Sequence, residues 1–150
     1  MTYEMFKNLT AGLLTGDNVL PDEPKVLLGL LQYALTTVAM QADSLHLMTL
    51  STAGDVLRLG HGDYLVRMPR LPEDDVDHLD IDEELVPAVA RYMASYISDK
   101  KGGIHVQAAD RIIKDYNAKT WSILEEQELE AAHEDIDDVC YTPPSTEWSA

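Results

Sequence analysis

The chain has 150 residues, with 11 Lys+Arg against 27 Asp+Glu and a formal charge of -16. That length suits one domain, and a hydrophobic share of 45% is enough to bury a core, which argues against wholesale disorder. So acidic a balance works against phosphate recognition, which needs a basic face, and against an anionic membrane surface.

The acidity sits in two segments. Residues 71–84 hold eight carboxylates and no base, and residues 125–138 hold another eight and no base. The remainder of the chain is neutral. One cysteine, Cys140, cannot make an intrachain disulfide, so a secreted, stapled scaffold is not indicated. The start, MTYEMFKNLTAGLL, lacks a basic region leading into an apolar core, and a signal peptide is not expected.

In chain order, residues 2–14 place Met5, Phe6, Leu9 and Leu13 at helical spacing, ahead of a Gly16-Asp17-Asn18 turn. Asp22 and Glu23 can cap a second helix, and Pro24 suits its first position. That helix, about 24–43, puts Leu27, Leu31, Leu35 and Val38 on one face, and Val26, Leu30 and Ala34 widen it. Almost the whole helix is then apolar, so it must be enclosed by its own domain or by neighbouring copies. Its uncharged run, Val26 to Ala42, contains Gln32, Thr36, Thr37 and Gln41 and is shorter than the ~20 apolar residues that cross a bilayer. It reads as a buried helix of a soluble protein from a reducing compartment.

The period then changes. HLMTL (46–50), DVLRL (55–59) and DYLVRM (63–68) are short strand-like runs separated by STAG and GHG, which predicts a small antiparallel meander. Pro69 and Pro72 end it and the acidic stretch follows as a loop. A third helix begins near Glu83 or Glu84, so that Pro87 falls in the first turn, with Leu85, Val89, Tyr92 or Met93, and Tyr96 on one face. Lys100 and Lys101 suit its C-terminal dipole, and Gly102 or Gly103 is expected as its left-handed C-cap. A fourth helix from about Ile104 carries Val106, Ala109, Ile113, Tyr116, Thr120 and Leu124 on one stripe, packed on the third as a hairpin. Its carboxylate-rich end opposes the dipole and should fray. The expected fold is therefore mainly α: a helical bundle over 1–132 with a β-hairpin or meander at about 46–68, then an extended acidic tail over 133–150.

The sequence carries little sign of chemistry. In the run DDVDHLDIDEEL a calcium loop starting at Asp75 has Leu79 at a ligand position, and one starting at Asp80 has Leu85 for the required Gly and Arg91 for the bidentate Glu. His46, His61, His78, His105 and His133 show no metal-ligand spacing. GHGDYL at 60–65 lacks the third glycine of a phosphate cradle, and its plain reading is a hairpin turn. An acidic neighbourhood raises rather than lowers the pKa of a thiol such as Cys140, and no GxSxG is present. No catalytic residue, metal or cofactor is expected, and an enzyme is not. Tyr92, Tyr96, Tyr116 and Trp121 suit helix packing. Tyr141 and Trp148, on a polar, proline-containing tail, suit docking on another surface.

GDYLVRMPRLPEDD followed by IDEELVPAVARYMASYISDKKGG and a tyrosine-bearing helix resembles the head-to-tail adaptor (connector) proteins of tailed bacteriophages. In that family a helix pair leads into a short β-hairpin, and a strand ending in proline opens an acidic loop. A helix of the form Asp/Glu-x-Leu-x-x-Ala-Val-x-x-Tyr-x-Ala then packs on a final helix. Glu83, Leu85, Ala88, Val89, Tyr92 and Ala94 match it, and the resemblance covers about residues 20–125. It implies a virion structural protein of the head-tail junction, assembled in the host cytoplasm. Such a protein forms a homo-oligomeric ring, usually of twelve copies, between a portal protein and a tail or nozzle protein. Double-stranded DNA passes through during packaging and ejection without specific binding. Asp74, Asp75, Asp77 and Asp80 would then be channel-facing acids that repel phosphate. Glu125, Glu126, Tyr141, Pro143, Pro144 and Trp148 would be the partner-binding residues of a tail captured by the portal. The alternative is an acidic DNA-mimic inhibitor of a nucleic-acid-binding protein. It fits less well, because two clusters on a neutral body do not make a phosphate-like row.

Overall fold

The computed structural model describes residues 1–52, 54–98 and 102–141, with side chains described as far as Gln127. The order is α1 (Tyr3–Leu13), α2 (Pro24–Gln41), β1 (Met48–Thr49), β2 (Val56–Leu59), β3 (Leu65–Arg67), a 3-10 turn (Glu83–Leu85), α3 (Val86–Ile97) and α4 (Gly102–Tyr141). The chain divides into two compact units, Met1–Ala118 and Lys119–Ala150, with the boundary inside α4. Mainly-α is the observed class.

In the first unit α3 is the centre. Val86, Ala88, Val89, Ala90, Tyr92, Met93 and Ala94 are all buried, because α1 and α2 pack against it. The expected start holds: Pro87 lies in the first turn of α3, directly after the 3-10 turn. The expected C-cap does not. α3 stops at Ile97 with extended Ser98 as its cap, and Gly102 and Gly103 open α4 instead. A Cβ on Gly102 would lie 3.2 Å from the Ser95 carbonyl, so this glycine permits a close approach to the end of α3. Lys100 and Lys101 lie outside the described residues. Nor are α3 and α4 a simple hairpin. Tyr116, Ile113 and Ala109 are buried and Val106 is partly so, but much of the link is polar: Tyr92 Oη donates to Asp110 (2.6 Å) and Arg91 meets His105 Nδ1 (3.1 Å).

α1 is capped by Thr2, whose Oγ1 accepts from the Met5 amide at 3.3 Å. It buries Tyr3, Phe6 and Thr10. Met5 faces outward, one step off the expected stripe. In α2, Leu27, Leu31, Ala34, Leu35, Val38 and Ala39 are buried. Pro24 is in the first turn as expected, but Glu23 occupies the N-cap without a side-chain hydrogen bond. Its own domain does not enclose α2 on every side: Val26 is 47%, Tyr33 67% and Met40 51% exposed.

The sheet is antiparallel in the order β1-β3-β2, with β3 rather than β2 in the middle. A meander in sequence order is therefore corrected. The tight turn at Gly60–Tyr64, where the Gly60 amide donates to the Tyr64 carbonyl (2.9 Å) and Gly62 has φ +61, folds β3 back on β2. β1 then takes the free edge of β3. Val66, at the centre, is fully buried, while every β2 residue keeps some exposure.

At the far end, α4 continues as helix to Tyr141, past the boundary expected at residue 132. Glu, Gln, Leu and Ala dominate residues 123–132, and their helix propensity acts at every position. The dipole penalty is about 0.3–1 kcal/mol and is confined to the last turn. In the second unit Thr120 and Leu124 are buried and Glu125 and Glu126 are exposed. Pro143, Pro144 and Trp148, and the rest of the tail beyond Tyr141, lie outside the described residues.

Candidate functional site

Three polar clusters organise the first unit around the acidic segment. The Asp80 carboxylate receives both Arg67 Nη atoms (2.5 and 2.7 Å), the Arg70 amide (2.8 Å) and His46 Nε2 (2.8 Å). Burial alone would raise its pKa. Arg67, the Arg70 amide and His46 outweigh that and hold the carboxyl well below the usual carboxylate range. Asp82 is the second hub. Ser44 Oγ donates to it at 2.5 Å, the His46 amide at 3.1 Å and Tyr116 Oη at 2.9 Å, while Tyr116 Oη accepts from the Leu45 amide at 3.0 Å. One carboxylate thus joins the link after α2, the acidic segment and α4.

The third cluster closes α2. Arg58 on β2 donates to the Ala39 carbonyl (2.9 Å), the Ala42 carbonyl (2.7 Å) and Asp43 Oδ1 (3.0 Å). A guanidinium on the last carbonyls satisfies groups the helix leaves open and meets the negative end of its dipole. Asn117 adds to it, donating to the Gln41 carbonyl (2.9 Å) and accepting from the Asp43 amide (2.8 Å).

The four acids expected to face a channel therefore differ in place. Asp80 is committed to the Arg67 pair. Asp77 folds inward on its own loop, its Oδ2 accepting from the Glu73 (2.9 Å) and Asp74 (3.0 Å) amides. Asp75 pairs with Lys7 at 2.8 Å. Asp74 is exposed, with no ion pair among the described residues. Nor is the stretch a free loop: the Tyr3 and Glu4 amides donate to the Asp77 and Asp75 carbonyls (2.8 and 3.1 Å), and Leu79 and Ile81 enter the core.

Two surfaces emerge that sequence reading did not isolate. The first is the outward side of α2, where Val26, Gly29, Tyr33 and Met40 line one exposed stripe. Tyr33 extends an aromatic ladder, edge-on to Tyr96 at 5.4 Å between centroids, with Tyr96 at 6.4 Å from Tyr92. Burial pushes the Tyr96 hydroxyl up, and burial with the Asp110 hydrogen bond takes Tyr92 to about 12. The second is a groove of about 480 Å³. Its floor is Tyr3, Leu20, Leu27 and Leu28, and its rim includes Asp22, Glu73, Asp74 and Asp75. The excess of apolar residues over those one face needs was a readable signal for the first. The second joins residues more than fifty positions apart, and nothing local announces it.

Among the described residues no group of three or more His, Cys, Asp and Glu is placed to hold a metal ion, and no helix is long and apolar enough to cross a membrane. No family model, curated protein or solved structure matches this chain.

Proposed function

We propose that the protein is a head-to-tail adaptor of a tailed-bacteriophage virion. It forms a ring below the portal protein, joins the capsid to a tail or nozzle protein, and lets double-stranded DNA pass. The observation that carries the reading is the outward stripe of α2, where exposed Val26, Tyr33 and Met40 run along the helix beside Gln32, Thr36 and Thr37. A lone domain gains nothing from exposing Val26, Tyr33 and Met40, whereas a subunit of an assembly buries them. The element order supports it: a helix pair, a small sheet, an acidic segment, then a 3-10 turn and helix in which Leu85, Ala88, Val89, Tyr92 and Ala94 are buried.

The DNA-mimic reading is weaker on the same evidence. It needs an outward row of carboxylates, and Asp75, Asp77, Asp80 and Asp82 are engaged within the fold. The test is co-sedimentation of the purified protein with portal rings and, separately, with a basic nucleic-acid-binding protein. Retention by the portal alone is expected. A protein that ignores portal rings and inhibits a nuclease or repressor overturns the adaptor reading.

A further inference from the structure

We propose that the acid-rimmed groove of one copy receives the Arg111–Lys114 face of α4 from a second copy, as a head-to-tail interface. This deepens the assembly reading and rests on it only in expecting copies of the chain to associate. Both halves lie in the first unit. The groove has an apolar floor, and Asp22, Glu73 and Asp74 on its rim are exposed, with no ion pair among the described residues; Lys7 is taken up by Asp75. Such a site fits an occupant that brings cations together with apolar surface.

The chain carries such a surface. Arg111 and Lys114 stand three residues apart on α4, both exposed and neither in an ion pair among the described residues. Positions 104, 107, 111, 114 and 118 fall on one side of a 3.6-residue helix, with the exposed Asp115 at the edge of the strip beside Ile104 and Arg111. Ile104, 61% exposed, and Ala118 therefore add apolar surface to the same strip. The other exposed cations of the first unit, among the described residues, are worse placed. Lys25 follows Pro24 of the groove wall, and Arg70 lies two residues before Pro72, so both belong to the groove's own side. Two different patches meeting make a heterologous contact, which closes into a ring or runs on as a filament and does not stop at a dimer. Opposite charges set apart on one chain also fix which patch meets which and repel like against like.

The test uses the full chain in sedimentation velocity over a concentration series at low and high salt. One variant reverses the α4 strip (Arg111→Glu with Lys114→Glu), and another reverses the groove rim (Asp22→Lys, Glu73→Lys and Asp74→Lys). Wild type should associate with concentration, less so at high salt. Each variant alone should associate about tenfold or more weakly. Mixed together they should associate again, since each then meets the opposite charge at both contacts; this recovery also shows that both fold. If the triple change does not fold, Asp74→Lys with Lys114→Glu serves as the matched pair. Wild-type association by the α4 variant, failure of the folded pair to recover, or a wild type that stays monomeric throughout overturns the interface. The first two leave the adaptor reading standing, and loss of portal retention by wild type sinks that reading without touching this result.

Discussion

At the scale of single residues, the acidic segment shows that carboxylate density and carboxylate availability are different properties. In the sequence Asp74, Asp75, Asp77 and Asp80 are alike. In the fold Asp80 is a structural anion, because Arg67 approaches with both arms from β3 and His46 from the link before β1. Charge runs are legible in a sequence, but the partner of each charge comes from strands that only the tertiary fold brings together. Replacing Asp80 by Asn should cost about 1.5–3 kcal/mol at neutral pH, since hydrogen bonds to a charged group are lost and Arg67 keeps its burial. The sign with pH follows from the lowered pKa. A carboxyl depressed in the folded state contributes stability above its unfolded value, near pH 4, and loses it as pH falls further. Denaturant unfolding of wild type should therefore weaken below about pH 4, and Asp80→Asn should show a shallower fall there. Parallel curves would mean the pair contributes nothing.

At the scale of elements, periodicity served best where one face is buried and poorly where burial has two causes. The stripes of α3 and α4 could be read in advance because Val89, Ile113 and Tyr116 recur at helical spacing. Leu85 is fully buried, so Leu85→Ala should cost about 2–5 kcal/mol in chemical unfolding, and a loss below about 1 kcal/mol would contradict the packing. α2 left two readings open because its apolar residues serve both the core and the outer stripe, and the sequence does not separate the two. Strand order was beyond reach as well: short strands carry little pattern, and nothing local says which edge β1 joins. GHG was a sound turn signal. Gly60 there has the Tyr64 carbonyl 3.1 Å and Val66 Cγ2 3.2 Å from where a Cβ would sit. Gly60→Ala should lower stability by about 1–3 kcal/mol through crowding of the buried Val66, measured by the thermal midpoint. An unchanged midpoint would show that the hairpin yields freely.

At the scale of the whole molecule, the acidic C-terminal segment carries the remaining expectation. Deleting residues 134–150, or changing Trp148→Ala, should leave the cooperative unfolding of the 1–118 unit intact while weakening retention on portal rings, and the deletion should cost most at low salt, where the tail's charges are unscreened. Wild-type retention by the truncated chain would show that the segment takes no part. The body itself has a consequence in time rather than in space. α1 is tied to the acidic segment by backbone bonds and by Lys7–Asp75, across a separation of 68 residues, and it packs on α3 further along still. It leaves the ribosome well before its partners, which are synthesised only after α2 and the sheet. Its short helix has little stability alone, so the emerging chain holds Phe6 and Leu9 unsheltered until α3 has been made. Folding of the unit is then a late, all-or-none closure of distant segments. Nascent chains arrested before residue 97 should remain protease-sensitive throughout α1.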